Sequence, residues 1–149
     1  MTPELVDVEP ATLIAAVGTV ADHTGVPGKI IELLDQVWPY IRGHEIEGGG
    51  HNVIVYRNHG SELTGGVQVR DDAPEPAAPL VLARTPGGRA AHLRHIGPYN
   101  QIPKSVQQLF GWCAENGHTV AEPSWEVYGD WDEDESKLVT DLYVVVISN

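Results

Sequence analysis

Hydrophobic and polar positions along this chain change period several times, and each change marks an element. The run "TLIAAVGTV" is short, apolar and rich in β-branched residues, which predicts a strand. Pro27 then opens a segment from about Gly28 to Arg42 in which Ile30, Leu33, Leu34, Val37, Trp38 and Ile41 recur at helical spacing. Gly43 is placed to cap it. "NVIVYRN" and "LTGGVQVR" read as two strands of a hairpin around "HGSE".

The same order then returns. "RAAHLRHIGPY" is a strand running into a turn, and Pro103 opens a helix with Val106, Leu109, Phe110 and Cys113 on one face and Asn116-Gly117 at its end. "SWEVYGDW" and "KLVTDLYVVV" form a second hairpin around "DEDES". Val26-Pro27 aligns with Ile102-Pro103, Trp38 with Trp112 and Tyr56 with Tyr128, at offsets of 72 to 76 residues.

The pattern therefore predicts an α+β protein of two tandem β-α-β-β units, with six main strands in antiparallel pairs and two helices. The units cover about residues 10–70 and 89–147 of a single domain. Residues 71–88, rich in Pro, Ala and Gly, read as the linker, with "LVLA" inside them able to extend into strand. One such unit buries its sheet face poorly. Two side by side are expected to share a sheet and leave a groove where they meet, a common position for a ligand.

Composition narrows the function. The chain has 149 residues, 42% hydrophobic and 20% charged, a globular balance. Nine Lys and Arg against 21 Asp and Glu give a net charge of -12, which argues against binding nucleic acid and for a field that attracts cations. No apolar run reaches the ~20 residues that span a bilayer. The acidic N-terminus lacks the basic start of a secretory signal, and Cys113 is the single cysteine, so a cytoplasmic location is expected.

Chemistry concentrates in "WEVY". A period of two puts Glu126, Tyr128 and Asp130 on one strand face and Trp125 and Val127 on the other. A strand glutamate read alone is either a solvated surface residue or a carboxylate in a pocket. Trp38 and Trp112 fit core packing as well as pocket lining, and Tyr40, Tyr56, Tyr99 and Tyr143 are weaker candidates. Asp141 shares a strand face with Tyr143, so it is either a second anion in the groove or a solvated edge residue. "DWDEDES" imitates a calcium loop but lacks its sixth-position Gly and twelfth-position Glu, so it reads as a solvated hairpin tip. His92 and His95 fall on opposite strand faces, and His44, His51 and His59 around "EGGGH" have no zinc spacing. "EGGGHN" lacks the Lys-Ser/Thr of a phosphate loop, and no Ser or Cys occupies a nucleophile elbow. No metal or cofactor is expected.

Three stretches carry a family resemblance: "HIGPY" at 95–99, "WCAENGHTVAEPSWEVYGDW" at 112–131 and "LVTDLYVVV" at 138–146. Together they resemble the GyrI-like small-molecule-binding domain, which also forms the effector-binding part of AraC-type and MerR-type multidrug regulators. The likeness is best over residues 89–147; the first half agrees mainly in element order. It implies tandem SHS2-like modules with a central hydrophobic groove. It implies that the position matching Glu126 sits in that groove among aromatics and neutralises lipophilic cations. The residues themselves offer Trp38, Trp112, Tyr40, Asp141 and Tyr143 as accompanying ligand-binding candidates. The last strand departs from the pattern, ending "VVVISN" where the family often has an Ile-Pro-Val-like turn.

The leading expectation is thus a stand-alone binding domain for hydrophobic, often cationic, small molecules, acting in sequestration or sensing. With no helix-turn-helix pattern in the sequence, direct nucleic-acid contact is not expected. A separate regulator or gyrase is the partner that the resemblance admits. Relatives that hydrolyse strained cyclopropane rings use a glutamate in the same motif, so hydrolysis by Glu126 is the alternative. Gyrase inhibition is a third, carried by the family name alone.

Overall fold

The computed structural model describes residues 2–46 and 50–147, so part of the glycine-rich "EGGGH" loop lies outside the described residues. The order of elements is β1 (Glu4–Val8), β2 (Thr12–Thr19), α1 (Val26–Gly43), β3 (Asn52–Arg57), β4 (Glu62–Val69), β5 (Val81–Arg84), β6 (Gly88–Ile96), α2 (Ile102–Glu115), β7 (Thr119–Tyr128) and β8 (Val139–Ile147). The α+β class, the two helices and the antiparallel pairing agree with the sequence pattern.

One compact unit is Pro10–Thr85; the other joins the residues before it to those after it. Within the first, the strands run β3-β4-β2-β5, each neighbour antiparallel. Leu33, Val37 and Ile41 form the buried stripe of α1, which packs on β2 and β4. Close approach requires glycine in β4. A Cβ at Gly65 would lie 3.0 Å from Leu33 Cβ, and one at Gly66 would lie 2.7 Å from the Ile14 carbonyl oxygen.

The second unit repeats the design as β1-β6-β8-β7. From α2, Ile102, Leu109 and Cys113 meet Ala91, Leu93, Leu142, Val144 and Val146 of the sheet. Burial of the Cys113 thiol raises its pKa, as expected of a packing residue rather than a nucleophile. Both helices begin with proline at the first or second position, where a missing N–H costs nothing. They end differently. Gly117 takes the left-handed turn after α2 at φ 72°, whereas Gly43 stays helical and Glu45 turns the chain at φ 50°.

Two strands were not among the six main ones read from the pattern, and they exchange partners. β1 precedes the β2-α1-β3-β4 repeat but pairs with β6; β5 precedes the β6-α2-β7-β8 repeat but pairs with β2. Residues 71–88 are accordingly more than a linker. Both strands are short edges, and "ELVDV" interrupts its apolar residues with Glu4 and Asp7, so neither produces a strong run in the sequence.

The helices fix the register of the repeat. An offset of 76 carries Pro27 to Pro103, Leu33 to Leu109 and Val37 to Cys113, all matching in place or burial. Trp38 therefore falls on Ala114, two positions beyond Trp112. The tryptophans flank the buried stripe on opposite sides rather than superposing. Each nevertheless reaches the chain entering the next strand: Trp38 Nε1 donates to Asn52 Oδ1 at 2.8 Å, and Trp112 lies 5.2 Å from the His118 ring.

Candidate functional site

In the β7–β8 ladder Glu126 faces Leu142 and Tyr128 faces Thr140. Residues directly opposite one another share a sheet face. Leu142 belongs to the core beneath α2, so Glu126 and Tyr128 project on the helix side. Glu126 is only 7% exposed, and the Tyr128 phenol donates to its Oε1 at 2.7 Å. Tyr99 meets the Tyr128 ring edge-on, with centroids 5.5 Å apart, and burial raises the pKa of the Tyr99 phenol.

The duplication shows what is unusual here. Aligning Tyr56 with Tyr128 sets Glu126 against Ile54, which is wholly buried under α1 beside Leu33 and Gly65. The second repeat keeps the position buried and replaces an isoleucine with a carboxyl.

Next to this pair, His95, Thr140 and Tyr128 stand side by side across three strands. The carbonyl of Pro98 can only accept, so His95 Nε2 donates to it at 2.9 Å; Nδ1 then takes the Ser105 hydroxyl at 2.8 Å. His95 in this way ties β6, the turn leading to Tyr99 and α2 together.

The opposite face of the same sheet holds a second polar group. Asp141 Oδ1 receives His92 Nε2 at 2.8 Å and Arg94 Nε at 3.0 Å, while Arg94 Nη2 reaches Oδ2 at 3.3 Å. His92 Nδ1 lies 3.4 Å from Glu4. Trp125 stacks on Tyr143 at 5.0 Å, and His92 tilts over the other side. Burial pushes the Asp141 carboxyl pKa up, but the bonds and charges of His92 and Arg94 outweigh this and hold it below the ordinary value. The same pair raises the pKa of Arg94.

The candidates therefore separate. Asp141 and Tyr143 share a face, as the alternation requires, but it is the face away from Glu126. Asp141 is already bonded to His92 and to the Arg94 guanidinium, and the idea of it as a second anion beside Glu126 does not fit. Trp112 lies on α2, half-buried against the same core. Trp38 and Tyr40 lie on α1 of the other unit, Tyr40 stacked on His44 at 4.0 Å. Sequence reasoning underrated Tyr99 and missed Tyr128 as Glu126's partner, although two residues' spacing already put Tyr128 on Glu126's face.

Beyond Tyr99 lies an open cavity of about 270 Å³, lined by Tyr99, Leu138, Trp131 and acidic side chains of the hairpin tip. At that tip Asp132 and Asp134 accept from the backbone N–H groups of Asp134 and Ser136, which is turn chemistry rather than ion ligation. Among the described residues no group of three His, Cys, Asp or Glu converges to hold a metal ion. His92 and His95 face opposite ways, as their spacing demands. No described helix is long and apolar enough to cross a membrane.

Each unit is a helix on a four-stranded antiparallel sheet, and the second holds the buried Glu126 carboxyl where the first is apolar. The chain belongs to the GyrI-like family: the GyrI-like small molecule binding domain matches residues 1–147. No curated protein matches the sequence. Among solved structures, the C-terminal domain of EcmrR superposes with a TM-score of 0.78 at 15% identity, covering 99% of this chain and 98% of that one. SAV2435, in a structure bound to tetraphenylphosphonium, gives 0.71 at 13% identity over 99% and 94%. A hydrolase encoded by lin2189 from Listeria innocua gives 0.62 at 11% identity over 98% and 92%. At these identities the likeness is one of fold.

Proposed function

We propose that this small-molecule-binding domain takes hydrophobic, preferentially cationic compounds, with Glu126 as the counter-ion and Tyr128 and Tyr99 as its aromatic surround. It acts to sequester such compounds or to report them to a separate regulator. The observation that carries this reading is the buried Glu126 carboxyl at the position of Ile54. Burying a carboxyl is unfavourable, and isoleucine serves packing better there. A lipophilic cation offsets that cost, and cation–π contact with the phenols adds roughly 0.5–2 kcal/mol. Tetraphenylphosphonium, found on SAV2435, is a cation of this kind. Trp112, half-buried on α2 of the same unit, is proposed as a further apolar contact; Asp141 and Tyr143 are not.

The test compares tetraphenylphosphonium with neutral triphenylphosphine oxide by calorimetry. Glu126→Gln is expected to weaken the cation about tenfold or more, some 1.4 kcal/mol, and the neutral compound within about twofold. Equal losses for both would show that Glu126 is not the counter-ion.

The contact between Tyr128 and Glu126 also favours a second reading. A carboxyl hydrogen-bonded to a phenol is a pair able to exchange a proton with a bound electrophile. Hydrolysis of a strained-ring electrophile would be abolished by Glu126→Gln with binding retained. Absence of turnover above buffer by the wild type rejects this reading and leaves the binding role intact.

A further inference from the structure

Thr140 is wholly buried, and its hydroxyl has no hydrogen-bond partner among the described residues. Such an atom gives up its hydration without replacement, at a cost of about 1–3 kcal/mol, and native structures hold few of them. Its place in the fold gives the orphan meaning. Thr140 lies directly across from Tyr128 in the ladder, on the face that carries Glu126. Directly opposite side chains stand about 4.5–5.5 Å apart at Cβ, and diagonal ones about 7–8 Å, so one ligand group can reach both Thr140 and Glu126. On its other side Thr140 faces His95, whose two ring nitrogens are taken by Ser105 and the Pro98 carbonyl. His95 has nothing left to offer the hydroxyl. Leu138, two residues earlier in the chain, lines the cavity beyond Tyr99.

We propose that Thr140 is a specificity-determining residue of the Glu126 site, its hydroxyl accepting a hydrogen bond from an N–H of the bound cation. The proposal rests on the reading of Glu126 as counter-ion and narrows it. The favoured ligands are protonated amines, which carry both a charge for Glu126 and an N–H for Thr140. Quaternary ammonium and phosphonium ions bring the charge alone and leave the hydroxyl unpaired.

The experiment uses a matched pair of probes, naphthylmethyl(dimethyl)ammonium and naphthylmethyl(trimethyl)ammonium, which differ by one N–H. Thr140→Val keeps the shape and removes the hydroxyl. It is expected to weaken the tertiary ammonium about tenfold and the quaternary ion within about twofold, the size of one hydrogen bond to a charged group. Thr140→Ser, which restores the hydroxyl, is expected to recover the preference. The thermal midpoint of Thr140→Val is expected to equal or exceed that of the wild type, since no protein partner is lost. A fall in midpoint means that the hydroxyl holds a structural water, and it overturns the proposal. So does an equal effect, or none, on the two probes. Glu126→Gln in parallel separates the two levels. If it weakens both cations while Thr140→Val does not discriminate, only the role of Thr140 fails. If it weakens neither, the counter-ion reading fails with it.

Discussion

The phenol of Tyr128 donates to the carboxyl of Glu126 over 2.7 Å, two residues apart on the helix-facing side of β7. The bond holds the carboxyl in one orientation and replaces part of its lost hydration, and the phenol ring that makes it meets Tyr99 edge-on.

Tyr128→Phe removes that donor and keeps the ring. Hydrogen bonds to charged groups contribute about 1.5–3 kcal/mol, so the variant is expected to unfold more easily by that order in urea. It should also broaden the range of cations accepted, because the carboxyl is less firmly oriented. Unchanged stability would mean that water replaces the phenol without cost.

Asp141 predicts the acid side of the stability profile. Its carboxyl is held below the ordinary aspartate value in the folded protein. A depressed acid stabilises the fold fully above its unfolded value, and that contribution is lost as pH falls through the folded value. Thermal midpoints of the wild type should therefore decline more steeply below about pH 4 than those of Asp141→Asn. Parallel curves for the two proteins would show that the network with His92 and Arg94 does not govern the acid limb.

Gly66→Ala tests the close approach in β4. The added methyl would sit 2.7 Å from a backbone carbonyl oxygen and 2.8 Å from Ala15 Cβ, neither of which can rotate away. Overpacking of this kind costs about 1–3 kcal/mol, read from the midpoint of chemical unfolding. Gly28→Ala, with open space around the same point, is the control and should be neutral or slightly stabilising.

His95→Phe keeps bulk while cutting both ties of the imidazole, to Ser105 and to the Pro98 carbonyl. The turn carrying Tyr99 should loosen. Faster hydrogen exchange at the amide of Gly97, which bonds the Leu138 carbonyl at 2.8 Å, is the expected signature. Unaltered protection there would assign the turn's rigidity to β8 alone.

Local chemistry determined much of this protein from its sequence. The prolines at 27 and 103, the helical spacing of Leu33 and Val37 and the alternation in "WEVY" each act over a few residues. Their outcome is fixed by backbone sterics and side-chain period, so both helices, the two hairpins and the facing of Glu126 with Tyr128 could be read directly. Tertiary structure decided what depends on distant partners. β1 and β5 become strands because β6 and β2 offer them unpaired edges, and their own residues carry little signal. Asp141 leaves the candidate site because ladder pairing sets it beside His92 and Arg94, one of them 49 residues away. The burial of Glu126 and the orphaned hydroxyl of Thr140 likewise arise only on packing, since solvent exclusion is a property of the packed layers and not of any short stretch of chain.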